Sequence, residues 1–85
     1  MEHVIVAFRS RAETVKFSEV LKKYGVYNEI VSTPKEAGVG CGLSLKISQQ
    51  SITATKRVIA VLGAKSFAGF FLVKILANKK IVKSI

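Results

Sequence analysis

The sequence holds one cysteine, one proline, no tryptophan and no aspartate. A single cysteine excludes an internal disulfide, and together with a single histidine it cannot build a structural zinc site. All five acids are glutamates, and none forms a close pair suited to general acid–base work. No apolar stretch approaches the roughly 20 residues that a membrane span needs. The start has no basic segment leading into a long apolar core, so no signal peptide is expected and a cytoplasmic setting is. Repeats, linkers and low-complexity segments are also missing. The 85 residues are read as one domain, 1–85, of a size that buries only about 60% of its unfolded surface.

Positive charge is what the chain has in excess. Lysine and arginine number 14 against 5 acids, for a net charge of +9. At 49% hydrophobic and 22% charged residues, the chain is too apolar for a disordered basic tail.

Apolar periodicity divides the chain into strands and helices. Val4 to Phe8 is a continuous apolar run that suits a central strand. Ser10-Arg11-Ala12-Glu13 fits a capping box, in which the serine hydroxyl serves the Glu13 amide and the Glu13 carboxylate reaches back. Phe17, Val20, Leu21 and Tyr24 then fall on one face of a helix, and Gly25 supplies a left-handed stop. Tyr27 to Ser32 reads as a short strand. Thr33-Pro34-Lys35-Glu36 resembles a second capping box, and the glycines behind it permit one helical turn at most.

Leu43 to Ser48 alternates strictly, which predicts a strand with Leu43, Leu45 and Ile47 buried and Ser44, Lys46 and Ser48 wet. A second helix is expected to begin between Ser48 and Ser51. Ile52, Thr55, Ile59 and Leu62 form its inner stripe, Val58 flanks it and Gly63 closes it. Phe67 to Leu76 is a last apolar strand in which Gly69 marks a bulge or a close contact. The order β-α-β-β-α-β predicts an α+β fold, a ferredoxin-like sandwich of a four-stranded antiparallel sheet with both helices on one face. The basic tail, 77–85, is left as an edge strand, an extension of the last strand or a frayed end.

The residues able to carry chemistry gather between Ser32 and Leu43, which hold the only proline, the only cysteine and three of the six glycines. A lone cysteine in a packed domain is most often a small buried hydrophobe. Here Gly40 and Gly42 remove the side chains on both sides of Cys41, which frees the thiol and lets a partner approach the backbone. Successive amides around glycines can form an anion-holding nest, and Lys35 adds positive charge if the loop folds back. Such surroundings favour thiolate over thiol in reactive cysteines.

At this loop the chain resembles the selenium/sulfur carrier-like family of small bacterial and archaeal domains. The matching features are Val4-Ile5-Val6-Ala7-Phe8, Leu21-Lys22-Lys23-Tyr24-Gly25, the Thr33-Pro34-Lys35 turn and Cys41-Gly42-Leu43-Ser44-Leu45, and the similarity extends from about Val4 to Leu76. In that family the loop before the cysteine is commonly rich in serine, whereas here it is Gly38-Val39-Gly40. The resemblance implies a carrier that is not an enzyme and needs no cofactor or metal, with Cys41 holding sulfur or selenium as a persulfide or selenylsulfide. Lys35, Gly40 and Gly42 would shape and stabilise that group. A donor enzyme such as a cysteine desulfurase would load it, and a second thiol, which would discharge it internally, is absent.

Two other readings compete. The basic charge and the expected sheet invite binding to RNA or to an acidic protein, with Cys41 incidental. The strand Leu43 to Ile47 has none of the aromatics that RNA-stacking sheets use, and a solvated basic surface is the simplest account of the charge. An ACT-like regulatory domain shares the same element order. Gly38-Val39-Gly40-Cys41-Gly42 lacks the G-x-G-x-x-G spacing and precedes a strand, which argues against a dinucleotide loop. His3 stands beside the first strand without an Asp or Cys neighbour and reads as a surface residue.

Overall fold

A computed structural model describes residues 2–39 and 41–85 of the chain. The elements are β1 (Glu2–Phe8), α1 (Arg11–Lys23), β2 (Glu29–Ser32), β3 (Leu43–Ile47), α2 (Ile52–Leu62), β4 (Phe67–Leu76) and β5 (Lys79–Ser84), with short 3-10 turns at Lys35–Ala37 and Gln49–Ser51. The fold is α+β. The expected four-stranded sheet is a five-stranded one, all antiparallel, in the order β2-β3-β1-β4-β5. The basic tail supplies the fifth strand by turning back on β4 through Ala77-Asn78. Ala77 takes a φ of 52°, the left-handed backbone that a tight two-residue hairpin requires.

β1 lies at the centre because its run of apolar side chains must be covered on both faces. Val4, Val6 and Phe8 face the helices, in one cluster with Phe17 and Leu21 of α1, Val58 of α2, and Leu45, Ile47 and Phe70 of the sheet. The Phe8 ring stacks on Phe17 at 5.2 Å and meets Phe67 edge-on at 5.9 Å, tying β1, α1 and β4 together. Ile5 and Ala7 face the other way and join Phe71 and Val73 in a second cluster, against which Val31, Ala37, Val39 and Val82 pack. A bulge interrupts the β1–β4 register between Ala7 and Phe8, where Gly69 lies opposite Ala7.

The alternating pattern of β3 is therefore misleading on one point. Ser44 is fully buried, not wet, and Lys46 is half-buried, because the β2–β3 loop folds over that face. Two residues of the expected helical stripes also stay outside the core: Tyr24 is 62% exposed and Leu62 48%. Both sit at the C-terminal end of their helix. Asn28 is capped by burial instead of lying in β2. Its amide nitrogen donates to the carbonyls of Ser18 and Val26, and its oxygen accepts from the Ser18 hydroxyl at 2.7 Å.

Thr55 on α2 is fully buried, and its hydroxyl has no hydrogen-bond partner among the described residues. Replacing an unsatisfied hydroxyl by a methyl of the same shape removes a desolvation cost. Thr55→Val is expected to stabilise the fold by about 1 kcal/mol, measured by urea unfolding. A loss of stability would reveal a partner for that hydroxyl.

Candidate functional site

The loop between β2 and β3 is short of regular structure yet pinned at both ends. Ser32 pairs with Leu43. One step further, the Thr33 amide donates to the Gly42 carbonyl at 2.9 Å, and the Thr33 and Ser44 hydroxyls are bonded at 2.6 Å. Thr33 thus closes the loop and does not cap a helix. The single turn Lys35–Ala37 begins after Pro34 without a side-chain cap and ends on Gly38 at φ 66°. Ala37 and Val39 then turn inward onto the second apolar cluster, and Gly42 at φ +93° returns the chain to β3 in a conformation that only glycine adopts easily.

Cys41 is half-buried and free. Its Sγ lies 3.9 Å from the Thr14 hydroxyl and donates to the Leu43 carbonyl at 3.7 Å. Thr14, fully buried, belongs to the first turn of α1, a helix of 13 residues. The sulfur therefore rests against the end of a helix where partial positive charge accumulates. The Thr14 hydroxyl donates to the Ser10 carbonyl at 3.0 Å, and the Thr14 amide donates to that same carbonyl at 3.0 Å.

Lys35 does not lie among the polar partners of the Cys41 sulfur. It lines an open cleft of about 550 Å³ with Arg9, Thr33, Pro34, Gly38, Val39 and Gly42. The loop thus brings Lys35 and Gly42 together, while Gly40 lies outside the described residues. Two residues of this region escaped the sequence reading. Arg9 ends β1 and is recognisable only once the β2–β3 loop is seen to fold over the strand end. Thr14 carries no signal beyond its place one turn inside α1.

The start of α1 is itself fastened in an unexpected way. Half of the capping box forms: Ser10 Oγ accepts from the Glu13 amide at 3.1 Å. The Glu13 carboxylate does not return to Ser10. It accepts instead from the amides of Lys65 and Ser66, at 3.1 and 2.8 Å, and from the Ser66 hydroxyl, while the Arg9 amide donates to the Ser66 carbonyl at 2.7 Å. Glu13 thereby staples the first turn of α1 to the connection before β4.

A family model described as putative Se/S carrier protein-like matches residues 3–65 of the chain. The match stops short of β4, whereas the resemblance read from the motifs extends to about Leu76. No curated protein and no solved structure matches. Among the described residues no group of histidine, cysteine and acidic side chains could hold a metal ion, and no helix is long and apolar enough to cross a membrane.

The staple at Glu13 has a pH signature. Hydrogen bonds from the Ser66 hydroxyl, the Ser66 amide and the Lys65 amide, aided by Lys16, hold its carboxyl below the ordinary value against a smaller opposing effect of burial. A carboxyl depressed in the folded state adds stability above its unfolded value, about 4.3, and loses it as pH falls through the folded value. Glu13→Gln is expected to lower the melting temperature at neutral pH and to flatten its decline on acidification. Parallel pH profiles for variant and parent would remove this role from Glu13.

Proposed function

The chain belongs to the Se/S carrier protein-like family, and from that premise we propose that it is a non-enzymatic chalcogen carrier with Cys41 as the acceptor. The reaction needs one thiolate and no metal. The Cys41 thiolate attacks the outer sulfur of a donor persulfide; a bond forms between the two sulfurs, the donor's own S–S bond breaks, and the donor leaves as a thiolate. Atoms and electrons balance without an added oxidant. Selenium would move in the same way, leaving a selenylsulfide. A cysteine desulfurase is the class of enzyme that presents such a persulfide, and a cytoplasmic setting keeps the acceptor thiol reduced.

The observation that carries this reading is the position of the sulfur against the first turn of α1 at Thr14. A neutral thiol there donates to the Leu43 carbonyl. An anionic sulfur would instead need a donor, and Thr14 can supply one at small cost. When its hydroxyl turns from Ser10 to the sulfur, the Ser10 carbonyl keeps the bond from the Thr14 amide. Half-burial shields the persulfide from chance reductants while leaving it open to a docked thiol.

The order β2-β3-β1-β4 of the first four strands, with both helices in one cluster, supports a ferredoxin-like layout to which β5 is appended. The competing RNA reading loses ground on the sheet. Phe71, the aromatic that faces away from the helices, is buried in the second cluster with the site loop packed against it, and offers no open stacking platform. Lys79, Lys80 and Lys83 on the edge strand β5 give an acidic donor or acceptor protein a surface to approach.

Incubation with a cysteine desulfurase and free cysteine is expected to add the mass of one sulfur atom at Cys41, removed by reductant and not gained by Cys41→Ser. Inorganic polysulfide should load the same position without the enzyme. An unchanged mass under both treatments would defeat the carrier reading.

A further inference from the structure

Persulfide chemistry at Cys41 leaves the Arg9–Lys35 cleft without a role, because neither cation is among the polar partners of the sulfur. We propose that this cleft is a binding site for a small dianion. It is open to solvent, and its volume of about 550 Å³ leaves room for a small anion. Arg9 and Lys35 bring two positive charges to it, and no glutamate is in its lining. Among the described residues neither cation is held in an ion pair; the recorded pair is Lys74 with Glu2. Glu13, the acid closest to Arg9 in the chain, is committed to Lys65 and Ser66.

The backbone that carries the two cations is fixed. Arg9 follows the central strand, and its amide is bonded to Ser66. Lys35 opens a turn closed by bonds from Ala37 to Pro34 and from Gly38 to Lys35, and Thr33 locks that turn to β3 through Gly42 and Ser44. Binding therefore costs the ordering of two side chains and not of a loop. Gly38 and Gly42 leave their walls bare, since a Cβ at either would meet nothing within 4 Å. Pro34 and Val39 offer apolar surface beside the charges. A ligand with two negative charges matches the two cations, and Pro34 and Val39 can take an apolar portion where the ligand has one.

Two sources share that chemistry: a doubly charged sulfur oxyanion, and a low-mass peptide disulfide bearing carboxylates. Both can be tested without the thiol, so the outcome is independent of whether Cys41 carries sulfur. Cys41→Ser protein labelled with nitrogen-15 would be titrated with thiosulfate and, separately, with oxidised glutathione, against sodium chloride at matched ionic strength. Saturable shifts are expected at the amides of Arg9, Lys35, Gly38, Val39 and Gly42 with at least one of the two. Saturation with thiosulfate alone identifies the oxyanion, and saturation with glutathione disulfide alone identifies the peptide disulfide. Arg9→Gln and Lys35→Gln should each weaken binding about tenfold, the loss of one charge-assisted hydrogen bond, while Lys79→Gln leaves it unchanged. Linear shifts that follow ionic strength, or saturation indifferent to Arg9 and Lys35, would overturn the proposal. Preserved spectral dispersion in each variant separates loss of binding from loss of fold.

Discussion

Ile5, Ala7, Phe71 and Val73 point away from both helices, and something other than a helix must keep them from water. In a chain with two helices on one side of the sheet, that cover comes from the β2–β3 loop and the edge strand β5, through Ala37, Val39 and Val82. The position of the loop is thus set by burial of apolar area, a force that acts without reference to chemistry. Cys41 and Lys35 are placed by the same fold-back. Of the loop's described residues, Ala37 and Val39 pack on the second cluster, and Thr33 closes its base.

Folding back also brings the Cys41 sulfur to 3.9 Å from the Thr14 hydroxyl, in the first turn of α1. Lys35 is diverted to the cleft with Arg9. On the opposite side of the same face, His3 is held below its ordinary value first by burial and then by Lys46 and Lys80, which favours the neutral ring. The excess of cations is therefore felt well away from the loop, and their mutual repulsion costs stability that the packed sheet must offset.

Much of this architecture is legible in the residues. The run Val4 to Phe8, the stripe containing Phe17 and Leu21, the stops at Gly25 and Gly63 and the bounds of β4 follow from periodicity and from backbone chemistry. β5 is not legible because its hairpin turns on Ala77-Asn78, which lacks the glycine that announces a tight turn. The burial of Ser44 is not legible because alternation tells which residues share a face but not what covers it. Tyr24 and Leu62 obey the helical spacing, but at the last turn of a helix spacing does not guarantee a packing partner. At the site, Cys41 and Lys35 stood out by residue type. Thr14 and Arg9 did not, since their importance arises only from a loop that returns to them, and the double duty of Glu13 depends on Ser66, far along the chain.

The register of β1 has a consequence for how the molecule comes into being. Glu2 pairs with Lys74 and Val6 with Phe70, so the strand at the heart of the sheet waits for partners made long after it. A growing polypeptide that has produced β1, α1, β2 and β3 can zip only one flank of β1, and the other flank stays an open, strongly apolar edge. Pairing over so great a sequence separation carries a high entropic cost before any contact repays it. The cysteine loop, whose Ala37 and Val39 pack on the cluster that holds Phe71 and Val73, gains that support only once β4 has been made.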